Sequence, residues 1–339
     1  MSDRRQSWSR REFVGGLTLA GTAGFCGARP ERVAAEPPPE TTRIRLAKTG
    51  AICMAPHFVA EDLLRSEGFA DVQYVPRPDL AAAEQALAAG EADLNVNYAL
   101  RLVVRLDVGD PVVVLAGVHV GCVELFGSDR VQSIRDLRGK RVATGRVGTG
   151  LPQLIGVILG QIGLAVQSDI ELVARPAPEA IALFKEGKAD AFIGIPPEPQ
   201  ELRARRIGHV LLDTGRDRPW SQYFCCMISA HRDFYRSHPV AAKRAVRAIL
   251  KAADMCSADA DGAARLLVDR GHTPSYDYAR DTLRGLPYRA WRDFEPEEAL
   301  RFYGLRLHEA GLIKSSPKKL IAEGADWRIL RELRKELKG

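Results

Sequence analysis

The chain has 339 residues, of which 46% are hydrophobic and 27% are charged. This composition carries too much apolar surface for a disordered chain, and it suits two domains of ordinary size or one large α/β domain. The formal net charge is +6, but opposite charges alternate along most of the sequence and no basic block forms. We therefore expect no nucleic-acid partner.

The first 35 residues differ in character from the rest of the chain. Ser9-Arg10-Arg11-Glu12-Phe13 precedes an uncharged stretch from Val14 to Ala28, and Val33-Ala34-Ala35 follows. This pattern resembles a twin-arginine export signal over residues 1–35, which implies an export translocase as partner and a periplasmic location. The apolar run is short for a membrane span of about 20 residues. A retained anchor, a lipoprotein modified at Cys26 and an ordinary N-terminal helix are the alternatives.

The cysteines do not form a recognisable sequence motif. They lie at positions 26, 53, 122, 225, 226 and 256, without a C-x-x-C pair or a histidine at the spacing of a zinc site. We predict no metal site and no disulfide framework, because twin-arginine substrates fold in a reducing compartment and buried thiols stay free there. Adjacent Cys225 and Cys226 are expected on opposite faces of a strand, where they cannot easily chelate together.

After a linker at residues 36–42, the first half of the mature chain alternates strand and helix patterns. Asp79 is expected to cap the second helix. Strands are predicted at 44–47, 72–75, 92–96 and 111–116, with 118–126 continuing extended. Helices are predicted at 56–67, 80–89 and 100–107.

The second half repeats this pattern and then becomes helical. Strands are predicted at 140–144, 170–173, 189–195 and 210–213, and helices at 151–162 and 178–186. The alternation indicates mainly parallel sheets with crossover helices. From His231 onward only helices are predicted, and they are expected to pack on the first half. Their ranges are 239–256, 258–270, 276–285, 296–310 and 326–337.

A short internal echo relates the two halves. Residues 87–94 and 184–191 share a helix end, a glycine at 90 or 187 and an aspartate that leads into a buried strand. The chain crosses between the halves at 112–126 and again at 220–229. We therefore predict an α/β protein of two lobes joined by two crossing strands. Lobe I takes residues 43–120 and 226–339, including the C-terminal helices, and lobe II takes residues 121–225.

Several runs are similar to those of one family. They are Ile44-Arg45-Leu46-Ala47 with Pro56-His57, Gly90-Glu91-Ala92-Asp93, Asp136-Leu137-Arg138-Gly139-Lys140-Arg141-Val142 and Gly187-Lys188-Ala189-Asp190. With the export signal, they resemble the nitrate/sulfonate/taurine class of ABC-transporter solute-binding proteins over residues 43–270. The resemblance implies a type II periplasmic-binding-protein fold with a solute site between the lobes and an inner-membrane ABC permease as partner. We expect a monomer.

The solute is expected next to the strand ends, because ligands of open parallel sheets bind outside the carboxyl ends of the strands. The favoured segment is Gly148-Thr149-Gly150, where helix-start amides and a hydroxyl suit an oxyanion. The candidate ligand-binding residues are Thr49, His57, Asn95, Asn97, Tyr98, His119, Arg146, Gly148, Thr149, Gly150, Pro197, Trp220 and Tyr223. Structural roles are the alternative for each, such as turn glycines, a capping histidine, amides bonded to loop backbone and aromatic rings that seal the hinge.

Enzyme motifs are absent from the sequence. Gly145-x-x-Gly148-x-Gly150 reverses the order of a dinucleotide fingerprint, and no H-E-x-x-H, G-x-S-x-G or Walker loop occurs. Thiamine-pyrimidine synthases of the same family carry a C-C-C-F-C run that Cys225-Cys226-Met227 does not reproduce. We predict no catalytic residue and no cofactor, and a protein that delivers a small anionic solute, such as a sulfonate, nitrate or carboxylate, to the permease. An enzyme on the same scaffold and a periplasmic solute sensor are the alternatives.

Overall fold

Two five-stranded sheets with helices packed on them make up the described part of the chain. The structure, a computed structural model, describes residues 36–145 and 150–338. The predicted signal at 1–35 and the candidate site residues Arg146, Gly148 and Thr149 lie outside these ranges. Both sheets belong to one unit of the chain that begins at Pro38.

The first sheet has the strand order β2-β1-β3-β10-β4. Its strands are β1 (Arg43–Lys48), β2 (Asp71–Pro76), β3 (Leu94–Tyr98), β4 (Val112–Val120) and β10 (Phe224–His231). β1 runs parallel to β2 and β3, whereas β10 is antiparallel to both β3 and β4. The crossing strand predicted at 220–229 is largely β10, which lies between β3 and β4 in this sheet.

The second sheet has the corresponding order β7-β6-β8-β5-β9. Its strands are β5 (Glu124–Gly127), β6 (Lys140–Thr144), β7 (Ile170–Ala174), β8 (Ala191–Gly194) and β9 (His209–Asp213). β6 is parallel to β7 and β8, and β5 is antiparallel to β8 and β9. Each sheet thus takes one antiparallel strand that directly follows a crossing from the other sheet.

The helices of the two β-α-β units lie between the strands in sequence. They are α1 (Ala55–Val59), α2 (Glu61–Ser66), α3 (Leu80–Ala88), α4 (Ala99–Asp107), α5 (Leu151–Gly160), α6 (Val166–Asp169), α7 (Ala177–Lys185) and α8 (Glu198–Ala204). The Asp79 carboxylate caps α3 by accepting from the Ala82 N–H at 2.8 Å, as predicted. The single helix predicted at 56–67 is two helices separated by Ala60.

The C-terminal part of the described chain is helical, as predicted. Its helices are α9 (Arg232–Ser237), α10 (Pro239–Ala258), α11 (Ala260–Asp269), α12 (Tyr276–Gly285), α13 (Pro296–Glu309), α14 (Pro317–Gly324) and α15 (Arg328–Glu336). α10 packs on α1 and α2, α13 on α4, and α15 on β4. In addition, α12 contacts α8 and α13 contacts α5, so these helices bridge the two sheets.

The internal echo between the halves is visible in the hydrogen bonds. Gly90 and Gly187 both have φ +70, a backbone conformation that glycine adopts readily. The carboxylate of Asp93 accepts from the Arg45 N–H at 2.7 Å, and that of Asp190 accepts from the Arg141 N–H at 3.0 Å. Each aspartate therefore fixes the same junction between a helix end and a buried strand.

Candidate functional site

A cavity of about 450 Å³ lies between the second sheet and the C-terminal helices. The residues around it come from the first crossing, from β5, α8 and β9, and from α12. They are Cys122, Glu124, Pro196, Gln200, Arg203, Ala204, Asp213, Gly215, Arg216, Asp281, Thr282, Gly285 and Leu286. This volume is ordinary for a small-molecule site.

Charged groups dominate the walls of the cavity. Arg203 of α8 forms a two-pronged ion pair with Glu124 of β5, with Nη1 2.8 Å from Oε1. Burial raises the pKa of Glu124 to about 7, although the Arg203 guanidinium acts in the opposite direction. Arg216 Nε lies 3.4 Å from Asp213 Oδ2. The Oε1 atom of Gln200 is buried and has no hydrogen-bond partner among the described residues.

All six candidate residues of the first lobe are buried, namely Thr49, His57, Asn95, Asn97, Tyr98 and His119. Thr49 Oγ1 contacts the Met54 sulfur at 3.6 Å. The His57 ring packs edge-on against Phe58, and its Nε2 lies 2.9 Å from the carbonyl oxygen of Ala47. Burial lowers the pKa of His57 to about 4. These contacts give Thr49 and His57 structural roles.

The two asparagines lie within β3, not after it. Asn97 Nδ2 donates to Glu84 Oε1 at 3.0 Å, and Arg101 binds the same carboxylate. The Asn97 side chain is therefore used in a buried network inside the first lobe. Asn95 is also buried, and its Nδ2 has no hydrogen-bond partner.

Tyr98 and Gly150 approach each other from the two lobes. Gly150 precedes α5 with φ +81, and a Cβ atom built there would lie 2.6 Å from Cδ of Arg101 and 3.5 Å from Cδ1 of Tyr98. The other face of the Tyr98 ring packs edge-on against Tyr303 of α13. Gly150 therefore lies against Arg101 and Tyr98, and a side chain at position 150 would require the Arg101 side chain to move and would adopt an unfavourable positive φ.

The remaining candidate residues come from lobe II and the return crossing. Pro197 precedes α8 in a cis peptide bond with Pro196, which lines the cavity. Tyr223 stacks on Phe302 of α13 with ring centroids 4.1 Å apart, and Trp220 meets the same ring edge-on at 5.5 Å. The two aromatic rings therefore seal the crossing against α13, which is the structural alternative set out above.

A cysteine cluster lies beside the cavity. The five cysteines in the described part of the chain are buried, and no disulfide joins them there. Cys53, His119, Cys122 and Cys226 each bring a ligand atom to within 4.8 Å of the others, and Cys225 Sγ lies 3.0 Å from Cys122 Sγ. The sequence predicts no metal site, but the structure places these four side chains together.

Both adjacent cysteines reach the Cys122 thiol, so the prediction that Cys225 and Cys226 point to opposite faces is wrong. The register of β10 against β4 shifts between Phe224 and Cys226 and again after Cys226. A β-bulge of this kind re-aims side chains that regular pleating would send to opposite sides. Hydrogen bonds from Cys122, Cys225 and Cys53 lower the pKa of Cys226 well below its ordinary value.

His119, a predicted solute contact, belongs to this cluster. Its Nδ1 lies 2.9 Å from the carbonyl oxygen of Gly121, so Nδ1 carries a proton and donates it. Burial alone lowers the pKa of His119, but the neighbouring Cys226 thiolate outweighs burial, and the pKa is raised from 6.5. Its Nε2 is buried and has no hydrogen-bond partner.

Sequence reasoning missed most of the residues that line the cavity. Gln200 and Arg203 lie in the proline-framed run 196–203, whose three prolines hide the short helix α8. Glu124 lies inside a stretch predicted only as extended, and Asp281 lies in a helix chosen for its apolar spacing. Arg203, Glu124 and Asp281 are charged. Because charges alternate along the whole chain, charge alone does not distinguish these three residues from the others.

Comparison with known proteins agrees with this architecture. The two-lobed arrangement is that of periplasmic binding proteins, as predicted. A family model described as NMT1/THI5 like matches residues 56–263, more than half of the chain. The protein therefore belongs to the NMT1/THI5-like family. No curated protein sequence matches the chain.

Several solved structures share the fold at low sequence identity. The periplasmic nitrate-binding protein NrtA from Synechocystis has a TM-score of 0.74 at 16% identity, covering 89% of this chain and 90% of its own. The alkanesulfonate-binding protein SsuA from Xanthomonas axonopodis, bound to MOPS, has a TM-score of 0.69 at 18% identity, with coverages of 87% and 100%. The aliphatic sulphonate-binding protein SsuA from Escherichia coli has 0.65 at 17%, with coverages of 81% and 94%. In the part of the chain described here, no helix is long and apolar enough to cross a membrane.

Proposed function

We propose that this protein is an exported, periplasmic solute-binding protein, and that it captures a small solute between its two lobes and hands it to an ABC permease. Residues 43–120 and 226–339 form lobe I in this proposal, and residues 121–225 form lobe II. The observation that carries it is the cavity walled by α8 of one lobe and α12 of the other. A solute held there contacts both lobes only when they are closed, so binding favours the closed state.

Buried polar atoms without partners support a polar solute. Gln200 lines the cavity, and its buried Oε1 has no hydrogen-bond partner within the described residues. Thr144, at the end of β6, carries a second such atom, Oγ1, outside the cavity lining. An unpaired buried polar atom costs about 1–3 kcal/mol, which a polar solute can recover by bonding to it.

The proposed solute is a small anion of the sulfonate, nitrate or carboxylate class. Arg203 and Arg216 line the cavity, and guanidinium groups bind planar and tetrahedral oxyanions through paired N–H donors. Glu124 and Asp213 hold these two arginines in place. A nitrate-binding protein and an alkanesulfonate-binding protein share the fold, and this similarity supports the proposal of an anionic solute.

The protein is proposed to act without catalysis. Arg203 pairs with Glu124 and Arg216 pairs with Asp213 on the cavity wall, so these four charged groups are arranged to bind and orient a solute. We also propose that the protein is a monomer and that an export translocase acts on residues 1–35. The protein is proposed to deliver its solute to a permease, not to act as a sensor. An enzyme on this scaffold would consume its ligand, whereas a binding protein returns it unchanged.

Thermal-shift screening followed by calorimetry tests this function. The mature protein is screened against nitrate, alkanesulfonates, mono- and dicarboxylates, amino acids, pyrimidines and cationic amines. We expect the strongest stabilisation from an anion, and we expect chromatography to recover it unchanged after prolonged incubation. A neutral or cationic ligand as the only hit would contradict the proposed solute class, and steady loss of the hit would establish an enzyme.

A further inference from the structure

The cysteine cluster is built from three separate segments of the chain, since His119 and Cys122 are only three residues apart. Cys53 lies in the short 3-10 turn Ile52–Met54 that follows β1, and His119 lies near the end of β4. Cys122 lies in the first crossing, and Cys226 lies in β10 just after the second. Their four ligand atoms fall within 4.8 Å of one another, and all four side chains are buried.

The histidine is oriented as a ligand. Because its Nδ1–H donates to the carbonyl oxygen of Gly121 at 2.9 Å, the neutral ring carries its lone pair on Nε2. That nitrogen is buried and has no hydrogen-bond partner among the residues that the structure describes. Metal-binding histidines commonly donate their second ring N–H to a carbonyl oxygen, which fixes both the tautomer and the ring orientation.

Neighbouring groups hold the cysteines in position. The hydroxyl of Tyr288 donates to the carbonyl oxygen of Cys53 at 2.9 Å, and the Tyr288 ring packs edge-on against His119. Thr214 Oγ1 accepts from the Cys122 N–H at 3.1 Å. Cys122 has φ +154, a strained value for a residue with a side chain, and such strain persists where the surroundings enforce it.

We propose that Cys53, His119, Cys122 and Cys226 form a binding site for a thiophilic metal ion with a filled d shell, Zn²⁺ or Cu⁺. Three sulfur atoms and one imidazole nitrogen suit such an ion, whereas Mg²⁺ and Ca²⁺ require oxygen ligands, of which this set has none. The Cys₃His set, fully buried, is the composition of closed structural zinc sites.

A metal ion at this site would tie both crossings to the first sheet. Cys122 and Cys226 flank the two points where the chain passes between the lobes, and Cys53 and His119 belong to lobe I. Cys122 also lines the cavity. The ion would therefore lie next to the proposed solute site, where the chain passes between the lobes. Metal binding at this site does not depend on whether the solute is an anion.

Metal analysis of the whole folded protein tests the site. The protein is purified anaerobically with a reductant and without chelators, and metal content is measured after titration with Zn²⁺ or Cu⁺ against a competing chelator. Binding should approach about one ion per chain and raise the unfolding midpoint. Co²⁺ in place of Zn²⁺ should give thiolate-to-metal absorption bands and the visible spectrum of a tetrahedral site.

Single substitutions identify the ligands. Cys226→Ser and His119→Gln should each weaken binding at least about tenfold. Cys256→Ser is the matched control, because Cys256 is also a buried cysteine but lies on α10 outside the cluster. A variant that failed to fold would also lose the metal. The Co²⁺ spectrum and the metal-dependent unfolding midpoint of the unaltered protein are therefore measured as readouts that need no variant.

Three results would overturn the site. The first is metal content at background in the unaltered protein under reducing conditions. The second is an equal loss of binding in Cys256→Ser. The third is a Cys122–Cys225 disulfide, found by mass spectrometry in protein purified anaerobically, because it would remove Cys122 as a ligand.

Discussion

Gly121 lies directly against Gly215, where the two crossings between the lobes meet. A Cβ atom added to Gly121 would stand 2.1 Å from the Cα atom of Gly215 and 2.3 Å from its nitrogen. Gly121 also has φ +57, in the left-handed region. The backbones of the two segments therefore touch because Gly121 carries no side chain.

Gly121→Ala should strongly destabilise the protein. The added methyl group meets backbone, which cannot rotate away, and alanine also pays for the left-handed conformation, so the loss should be at least about 3 kcal/mol. Gly109→Ala is the control, since Gly109 has φ +84 and nothing lies within 4 Å of its added Cβ. It should cost only about 1–2 kcal/mol. Urea denaturation measures both, and equal losses would contradict the close contact.

Asn97→Asp should destabilise the first lobe far more than Asn97→Ala. The aspartate would place a second buried carboxylate about where Nδ2 now donates to Glu84 at 3.0 Å. We expect a loss of about 3 kcal/mol or more for the aspartate and about 1–2 kcal/mol for the alanine. Denaturant unfolding gives both values, and an aspartate variant as stable as the alanine variant would rule out the network.

The buried histidine His57 should make stability fall in mild acid. Its pKa is about 4 in the folded protein and 6.5 ordinarily, so the unfolded chain takes up a proton first as the pH drops. The contribution is complete above pH 6.5 and is lost as the pH falls toward 4. Between pH 7 and pH 5 the loss should be about 2 kcal/mol.

His57→Gln provides the comparison for this pH dependence. The glutamine amide can still donate to the carbonyl oxygen of Ala47, but it does not titrate. The free energy of unfolding of the variant should therefore fall less than that of the unaltered protein over the same interval. Parallel curves would show that His57 is not the group responsible.

The ion pair between Glu124 and Arg203 should control anion affinity. Glu124→Gln keeps the shape and removes a negative charge from the cavity wall, so an anionic solute should bind roughly three- to tenfold more tightly. Arg203→Gln should weaken it by about tenfold or more. Isothermal titration with the solute found by screening measures both changes.

Arg205→Gln is the matched control for these two variants. Arg205 follows α8 and pairs with Glu201, but it does not line the cavity. Its substitution should leave solute affinity within about twofold, as exposed ion pairs contribute little. If all three variants behaved alike, the solute would bind elsewhere.

Much of the fold could be predicted from the sequence, because periodicity and stop signals were clear. The strand at 140–144 and the helix at 276–285 have the predicted bounds. The amphipathic C-terminal helix docks through Ile329, Leu330 and Leu333, which are buried. The prolines of 196–199 concealed α8, and nothing local indicated that β5 and β10 would insert antiparallel into the sheets.

The site was less predictable, because it depends on contacts between distant segments. Strand ends predict a site in the region between the lobes, and the side chains of His57 and Asn97 make buried contacts within the first lobe. The cysteine cluster joins position 53 to position 226 through a β-bulge. Spacing rules for metal sites search for ligands near one another in sequence, so they pass over such a set.

Small-angle X-ray scattering tests the central claim, that two lobes close on a solute, most directly. The radius of gyration of the mature protein is measured alone and with saturating solute, under conditions in which calorimetry shows binding. We expect a smaller radius of gyration and a more compact scattering profile when the solute is bound. An unchanged profile at full saturation would contradict closure of the lobes around the solute.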